Sequence, residues 1–112
     1  MLDEALPHKL ASLLRDAGCP VDRFPARWKG MQDGALLDAI EAQGWTVLVT
    51  CDRNMPFQQS FAGRSIAVVV VPRQRLQILA PLVDQIAMTI RDARPGEVKI
   101  IDRTDAVGPS PA

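Results

Sequence analysis

Ile66-Ala67-Val68-Val69-Val70-Val71 is an unbroken apolar run, mostly β-branched, with no polar residue alternating through it. A run of this kind fits a strand covered on both faces. Such strands belong to parallel sheets, whose neighbours must be reached through crossover connections. Upstream, Trp45-Thr46-Val47-Leu48-Val49-Thr50 repeats the pattern in a shorter form, and Val98 to Ile101 supplies a last edge strand. Helical spacing fills the intervals. Leu6, Leu10, Leu13, Leu14 and Ala17 share one face of a helix from Leu6 to Ala17, with Pro7 in its first turn and Gly18 as the left-handed residue just past its end. Gln32-Asp33-Gly34 opens a second helix with Asp33 as a good N-cap, Leu36, Leu37, Ala39 and Ile40 inside, and Gly44 as its stop. From Arg73 to Ala93 the residues Leu76, Leu79, Leu82, Val83, Ile86, Ala87 and Ile90 keep helical spacing, and Pro81 either kinks that helix or starts another. The expected class is α/β, a small, mostly parallel β-sheet flanked by helices and joined by right-handed crossovers.

The bulk properties agree with one domain. A chain of 112 residues buries roughly 65% of its unfolded surface, enough for one core without staples. The apolar share of 47% excludes disordered and collagen-like classes. Thirteen basic residues against thirteen acidic ones argue against a basic nucleic-acid coat or a polybasic membrane patch. Cys19 and Cys51, the only cysteines, make neither a zinc site nor a disulfide framework and read as reduced thiols. Met1-Leu2-Asp3-Glu4 places acids where a signal peptide carries basic residues, so a cytoplasmic location is expected. The longest apolar run, Ile66 to Pro72, is seven residues. Spanning a membrane takes roughly 20, and no membrane partner is expected. Residues 1–104 read as the domain and 105–112 as a flexible C-terminal tail.

Open parallel sheets carry their sites at the carboxyl ends of the strands, near the point where strand order reverses. Asp3 follows the first short segment, Asp33 opens the second helix, and Asp52 and Asn54 lie just past the strand that ends in Thr50. Three acids and an amide are therefore expected to converge. Magnesium and manganese favour oxygen ligands, and such an ion activates water and neutralises charge on a phosphodiester.

These residues resemble the PIN-like proteins, small relatives of the PIN-domain nucleases of bacteria and archaea. The resemblance rests on Leu2-Asp3-Glu4-Ala5-Leu6-Pro7 before an amphipathic helix, then Asp33-Gly34-Ala35-Leu36-Leu37-Asp38-Ala39, then Val47-Leu48-Val49-Thr50-Cys51-Asp52-Arg53-Asn54-Met55. It covers residues 1–72 in order; the remainder fits the architecture only. It implies a three-layer PIN-like sandwich and a magnesium- or manganese-dependent ribonuclease, with Asp3, Asp33 and Asp52 as catalytic metal ligands and Asn54 as a fourth ligand. It also implies an RNA substrate, the toxin role in a toxin–antitoxin pair with an antitoxin partner, and homo-oligomers. The chain departs from the family pattern in three places. Asn54-Met55 stands where the family has Asp-Phe, Ala5 stands where it has Asn, and only Met1 and Leu2 precede Asp3 where it has a full strand. So short a lead-in predicts a poorly fixed Asp3. The departures motivate an alternative, a catalytically degenerate PIN-like fold that serves as a binding or assembly module.

Plainer readings stand beside these. Asp33 as an N-cap needs no metal, and Asp52 or Asn54 can cap a short helix at Met55-Pro56-Phe57. Glu4, His8 and Arg53 read as solvated surface residues. Arg27-Trp28-Lys29 is a basic and aromatic patch able to stack on RNA, with core packing as the plainer role of Trp28. Cys51 reads as a small strand-end residue, not a nucleophile. Gathering Asp3, Asp33 and Asp52 around one cation leaves the rest of the chain with a surplus of basic residues, so zero net charge is compatible with a local phosphate site.

Overall fold

The computed structural model describes residues 1–101. Residues 102–104 of the expected domain and the expected tail at 105–112 lie outside the described residues. The elements in chain order are α1 (His8–Asp16), α2 (Asp33–Ala42), β1 (Val47–Thr50), α3 (Met55–Gln58), β2 (Ala67–Val70), α4 (Leu76–Leu79), α5 (Val83–Asp92) and β3 (Val98–Ile100), with 3₁₀ turns at Ala26–Trp28 and Ala80–Leu82. Helices and a three-stranded parallel sheet make this an α/β fold.

Local chemistry sets the boundaries. Helix α1 starts at His8, two residues later than the periodicity predicts, because Pro7 takes the extended N-cap position and a residue before proline avoids the helical region. At its far end Gly18, with φ +82°, closes the helix. Its N–H donates to Arg15 O at 2.9 Å and that of Cys19 to Leu14 O at 2.8 Å, the paired bonds of a Schellman end. Gly44, with φ +88°, ends α2 in the same way. Gln32, not Asp33, is the N-cap of α2, and it makes no side-chain cap bond. The extended backbone falls at Gln32, so Asp33 lies in the first helical turn, where its charge faces the positive end of the helix dipole. The predicted helix at 73–93 is divided. Pro81 has no N–H to give and its ring crowds the preceding turn, so α4 passes through a 3₁₀ turn into α5.

The sheet is parallel throughout, with Val47 opposite Ala67 in β1 and β2, and Val68 opposite Val98 in β2 and β3. The N-terminus adds to it. Leu2 forms a parallel bridge with Val49. On its other side the Leu2 N–H donates to Asp22 O at 2.9 Å. The lateral order is therefore the Asp22 segment, Met1–Asp3, β1, β2, β3, and chain order reverses at Met1–Asp3.

Successive strand residues alternate between two cores. Leu2, Val47, Val49, Ala67, Val69 and Val71 face α1, α4 and α5, where Leu10, Leu14, Leu79 and Ile86 are buried. Leu48, Ile66, Val68 and Val70 face the other way, against Leu36, Leu37 and Ile40 of α2 and against Met55 and Phe61. Each such Val, Leu, Ile, Met or Phe side chain contributes about 1.5–3 kcal/mol relative to exposure. Arg64 bonds both Asp38 and Glu41, and Ser65 donates twice to Glu41, which ties α2 to the lead-in of β2. The β1–β2 connection lies over the second core and the β2–β3 connection over the first, while both step in the same direction across the sheet. They consequently have opposite hands, contrary to the expectation of right-handed crossovers throughout. The apolar side of α5, Ile86 and Ala87, packs into the core that α1 already lines, and that pairing sets its face. At the outer strand Val98 and Ile100 are exposed. Among the described residues no helix is long and apolar enough to cross a membrane.

Candidate acidic site at the carboxyl ends of adjacent segments

The reversal in chain order lies between Met1–Asp3 and β1, and the acidic residues sit at the carboxyl ends of these two neighbours. Asp3 is held from both directions. Its N–H donates to Val49 O at 2.8 Å, and its own carbonyl accepts the Leu6 N–H at 3.1 Å. The residues before it are equally tied. The Val49 N–H donates to Met1 O at 2.9 Å, and the Met1 ammonium donates to Val47 O at 2.7 Å from a buried position. Two residues thus do the work of a strand, and the expected looseness of Asp3 is not found. Their side chains explain it: Met1 and Leu2 are each buried, one in each core.

Thr50 is the polar residue buried at the end of β1. Its hydroxyl donates to Asp3 Oδ2 at 3.0 Å and accepts the Asp52 N–H at 3.1 Å. One side chain therefore places both acids. Asp52 Oδ1 accepts the Asn54 N–H at 2.9 Å, a local turn that carries the chain into α3. Asn54 occupies the N-cap of that helix without a side-chain cap bond, and it is exposed.

Burial pushes the Asp3 carboxyl above its ordinary range, with the neighbouring charges of Glu4 and Asp52 acting in the same direction. The bonds from Thr50 and from the Glu4 N–H oppose that shift without cancelling it. A half-buried carboxylate beside a second carboxylate favours the arrival of a positive charge. Burial also raises the Cys51 thiol, and Asp3 adds to the effect. Cys51 is thus held away from the thiolate form a nucleophile needs.

Two carboxylates and a hydroxyl are hard oxygen donors, which suits an ion that takes one or two carboxylates and keeps several waters. Among the described residues, however, no three of His, Cys, Asp and Glu are grouped to hold one metal ion. Asp33 is not grouped with Asp3 and Asp52 as a third ligand among the described residues. A Cβ at its neighbour Gly34 would come 3.8 Å from Gln59 Oε1, so the start of α2 adjoins the segment after α3. The structure thus joins Asp3 with Asp52 through Thr50, brings the Asn54 backbone to Asp52, and leaves Asp33 in a helix's first turn.

The other singled-out residues resolve simply. Trp28 is buried edge-on between Phe24 and Trp45, at ring distances of 6.5 and 5.4 Å, with Arg27 over its face at 5.5 Å. His8 is exposed, and its Nδ1 lies 3.4 Å from Arg23 Nη1. The Asp22 segment, which flanks the site's first strand, carries no periodic signal in the sequence. Comparison with protein-family models, with curated proteins and with solved structures gives no match for this chain.

Proposed function

We propose that this chain is a PIN-like, divalent-metal-dependent endoribonuclease of the cytoplasm, serving as the toxin of a toxin–antitoxin pair. The joining of Asp3 to Asp52 through the Thr50 hydroxyl, at the carboxyl ends of adjacent parallel segments, is the observation that carries this reading. The motif resemblance around Asp3, Asp33 and Asp52 supports it, and the antitoxin and homo-oligomer belong to the same proposal. Magnesium or manganese, when bound, supplies charge neutralisation at the phosphodiester and a more acidic water. Asp3 and Asp52 would hold it. Thr50 fixes the rotamer of Asp3, and the turn at Asn54 occupies Oδ1 of Asp52, leaving Oδ2 without a hydrogen-bond partner among the described residues.

One observation favours the second reading, a degenerate fold acting as a binding module: no third acid is grouped with Asp3 and Asp52 among the described residues. Incubating the protein with single-stranded and structured RNA, with and without manganese, separates the two. The nuclease reading expects manganese-dependent cleavage that disappears in Asp52→Asn. Cleavage absent throughout, or unchanged in Asp52→Asn, removes it.

A further inference from the structure

Helix α1 presents His8, Ala11, Ser12 and Arg15 along one side, the three- and four-residue spacing of a single helical face. Opposite that face runs the segment 20–23. Between them lies a groove of about 380 Å³. Arg15 and Arg23 line it, both exposed, and neither makes a salt bridge among the described residues. Arg23 Nη1 stands 3.4 Å from His8 Nδ1; a guanidinium can only donate, so the histidine nitrogen is the acceptor. The one acid in the lining is Asp22, and its Oδ2 already accepts the Trp45 indole N–H at 2.7 Å. The groove therefore offers two guanidinium groups, a hydroxyl and an imidazole, against one engaged carboxylate.

Its position adds to its composition. A second hollow of about 210 Å³, lined by Glu4, His8, Phe24, Ala26 and Lys29, shares His8 with the groove and ends at the residue that follows Asp3. Basic side chains thus continue from the neighbourhood of the acidic site along α1. Guanidinium groups pair with phosphate oxygens in a two-bond geometry, and phosphate contacts position a strand without reading its sequence.

We propose that the groove between α1 and residues 20–23 binds backbone phosphates of a single-stranded RNA that flanks the Asp3–Asp52 site, with Arg15 and Arg23 as the phosphate-binding side chains. This rests on the ribonuclease reading for the identity of the strand, and the test keeps the two apart. Binding of a fluorescein-labelled single-stranded RNA is followed by anisotropy in EDTA over a series of salt concentrations. An Arg15→Gln, Arg23→Gln double variant removes both cations and lowers the slope of log K against log salt by about 1.4, at about 0.7 for each phosphate neutralised on a single strand. Arg75→Gln, an exposed arginine outside the groove, keeps the wild-type affinity and slope. Both arginines are exposed, and a thermal melt matching wild type shows the double variant folded. An unchanged slope in that folded variant overturns the proposal, even if Asp52-dependent cleavage is observed. A reduced slope without any cleavage upholds the groove and removes the nuclease reading alone.

Discussion

The hydroxyl of Thr50 lies 3.0 Å from Asp3 Oδ2 and turns a residue at the end of one strand into the holder of a carboxylate on the next. The same oxygen takes the Asp52 N–H, so a single buried side chain sets the geometry of both acids. Thr50→Val keeps the branched shape and removes both bonds. With a half-buried carboxylate losing its donor, the loss is about 1–3 kcal/mol of unfolding free energy, read by urea denaturation at neutral pH. Thr50→Ser keeps the hydroxyl and loses clearly less. Equal stability of the Val variant and wild type would show that this bond does not hold Asp3.

Much of this arrangement was legible in the residues themselves. The run from Ile66 to Val71 announced coverage on both faces, and its side chains do alternate between two cores. Gly18 and Gly44 marked their helix ends because each sits at a positive φ that other residues avoid. The acidic site was half legible. Asp3 and Asp52 follow strand ends, where an α/β sheet gathers its chemistry. Asp33 also stands at an element's end, but nothing in a linear pattern distinguishes an N-cap from the first helical residue. That depends on where the backbone changes from extended to helical, here at Gln32. Least legible was the two-residue strand. Met1 and Leu2 are too few to carry a period, and their place between Asp22 and Val49 is set by burial and three backbone bonds.

Removal of individual acids distinguishes the roles. If the proposed metal site is right, Asp3→Asn and Asp52→Asn should each abolish manganese binding measured by titration calorimetry, because each removes one of the two paired carboxylates. Asp33→Asn keeps the binding and costs about 0.3–1 kcal/mol of stability through the lost first-turn charge. Manganese affinity that falls as strongly in Asp33→Asn as in Asp52→Asn would show that Asp33 shares the ion.

The buried amino terminus gives the fold a dependence on pH. Desolvation lowers the Met1 ammonium from 8.0 to about 6, although the Asp22 charge pulls the other way. The folded chain therefore releases a proton that the unfolded chain retains between these values. Stability is highest above pH 8 and falls as pH drops toward 6, by at most about 3 kcal/mol. Asp3 has the opposite sign, since burial raises its carboxyl and that costs stability as pH climbs through its folded pKa. Urea midpoints measured from pH 6 to 8 should rise with pH in wild type and in His8→Gln. A flat profile would show that the Met1 ammonium keeps its ordinary proton affinity in the fold.

The two glycines that close α1 and α2 test how neighbours modify backbone strain. Both have φ above +80°, where an alanine costs about 1–2 kcal/mol for its Cβ alone. At Gly44 a Cβ would meet nothing within 4 Å, so Gly44→Ala carries only the backbone cost. At Gly18 the same atom would come within 3.1 Å of Arg91 Nη2, which donates to Ala17 O at 2.8 Å and ties α5 to the end of α1. Gly18→Ala therefore also makes the exposed Arg91 guanidinium give by a few tenths of an ångström, which weakens that bond and makes it the more damaging of the two. In an Arg91→Ala background the guanidinium is absent, and the two alanine variants should destabilise by the same amount. If the excess at Gly18 persists in that background, its cause lies in the backbone at the end of α1 and not in the arginine that crosses it.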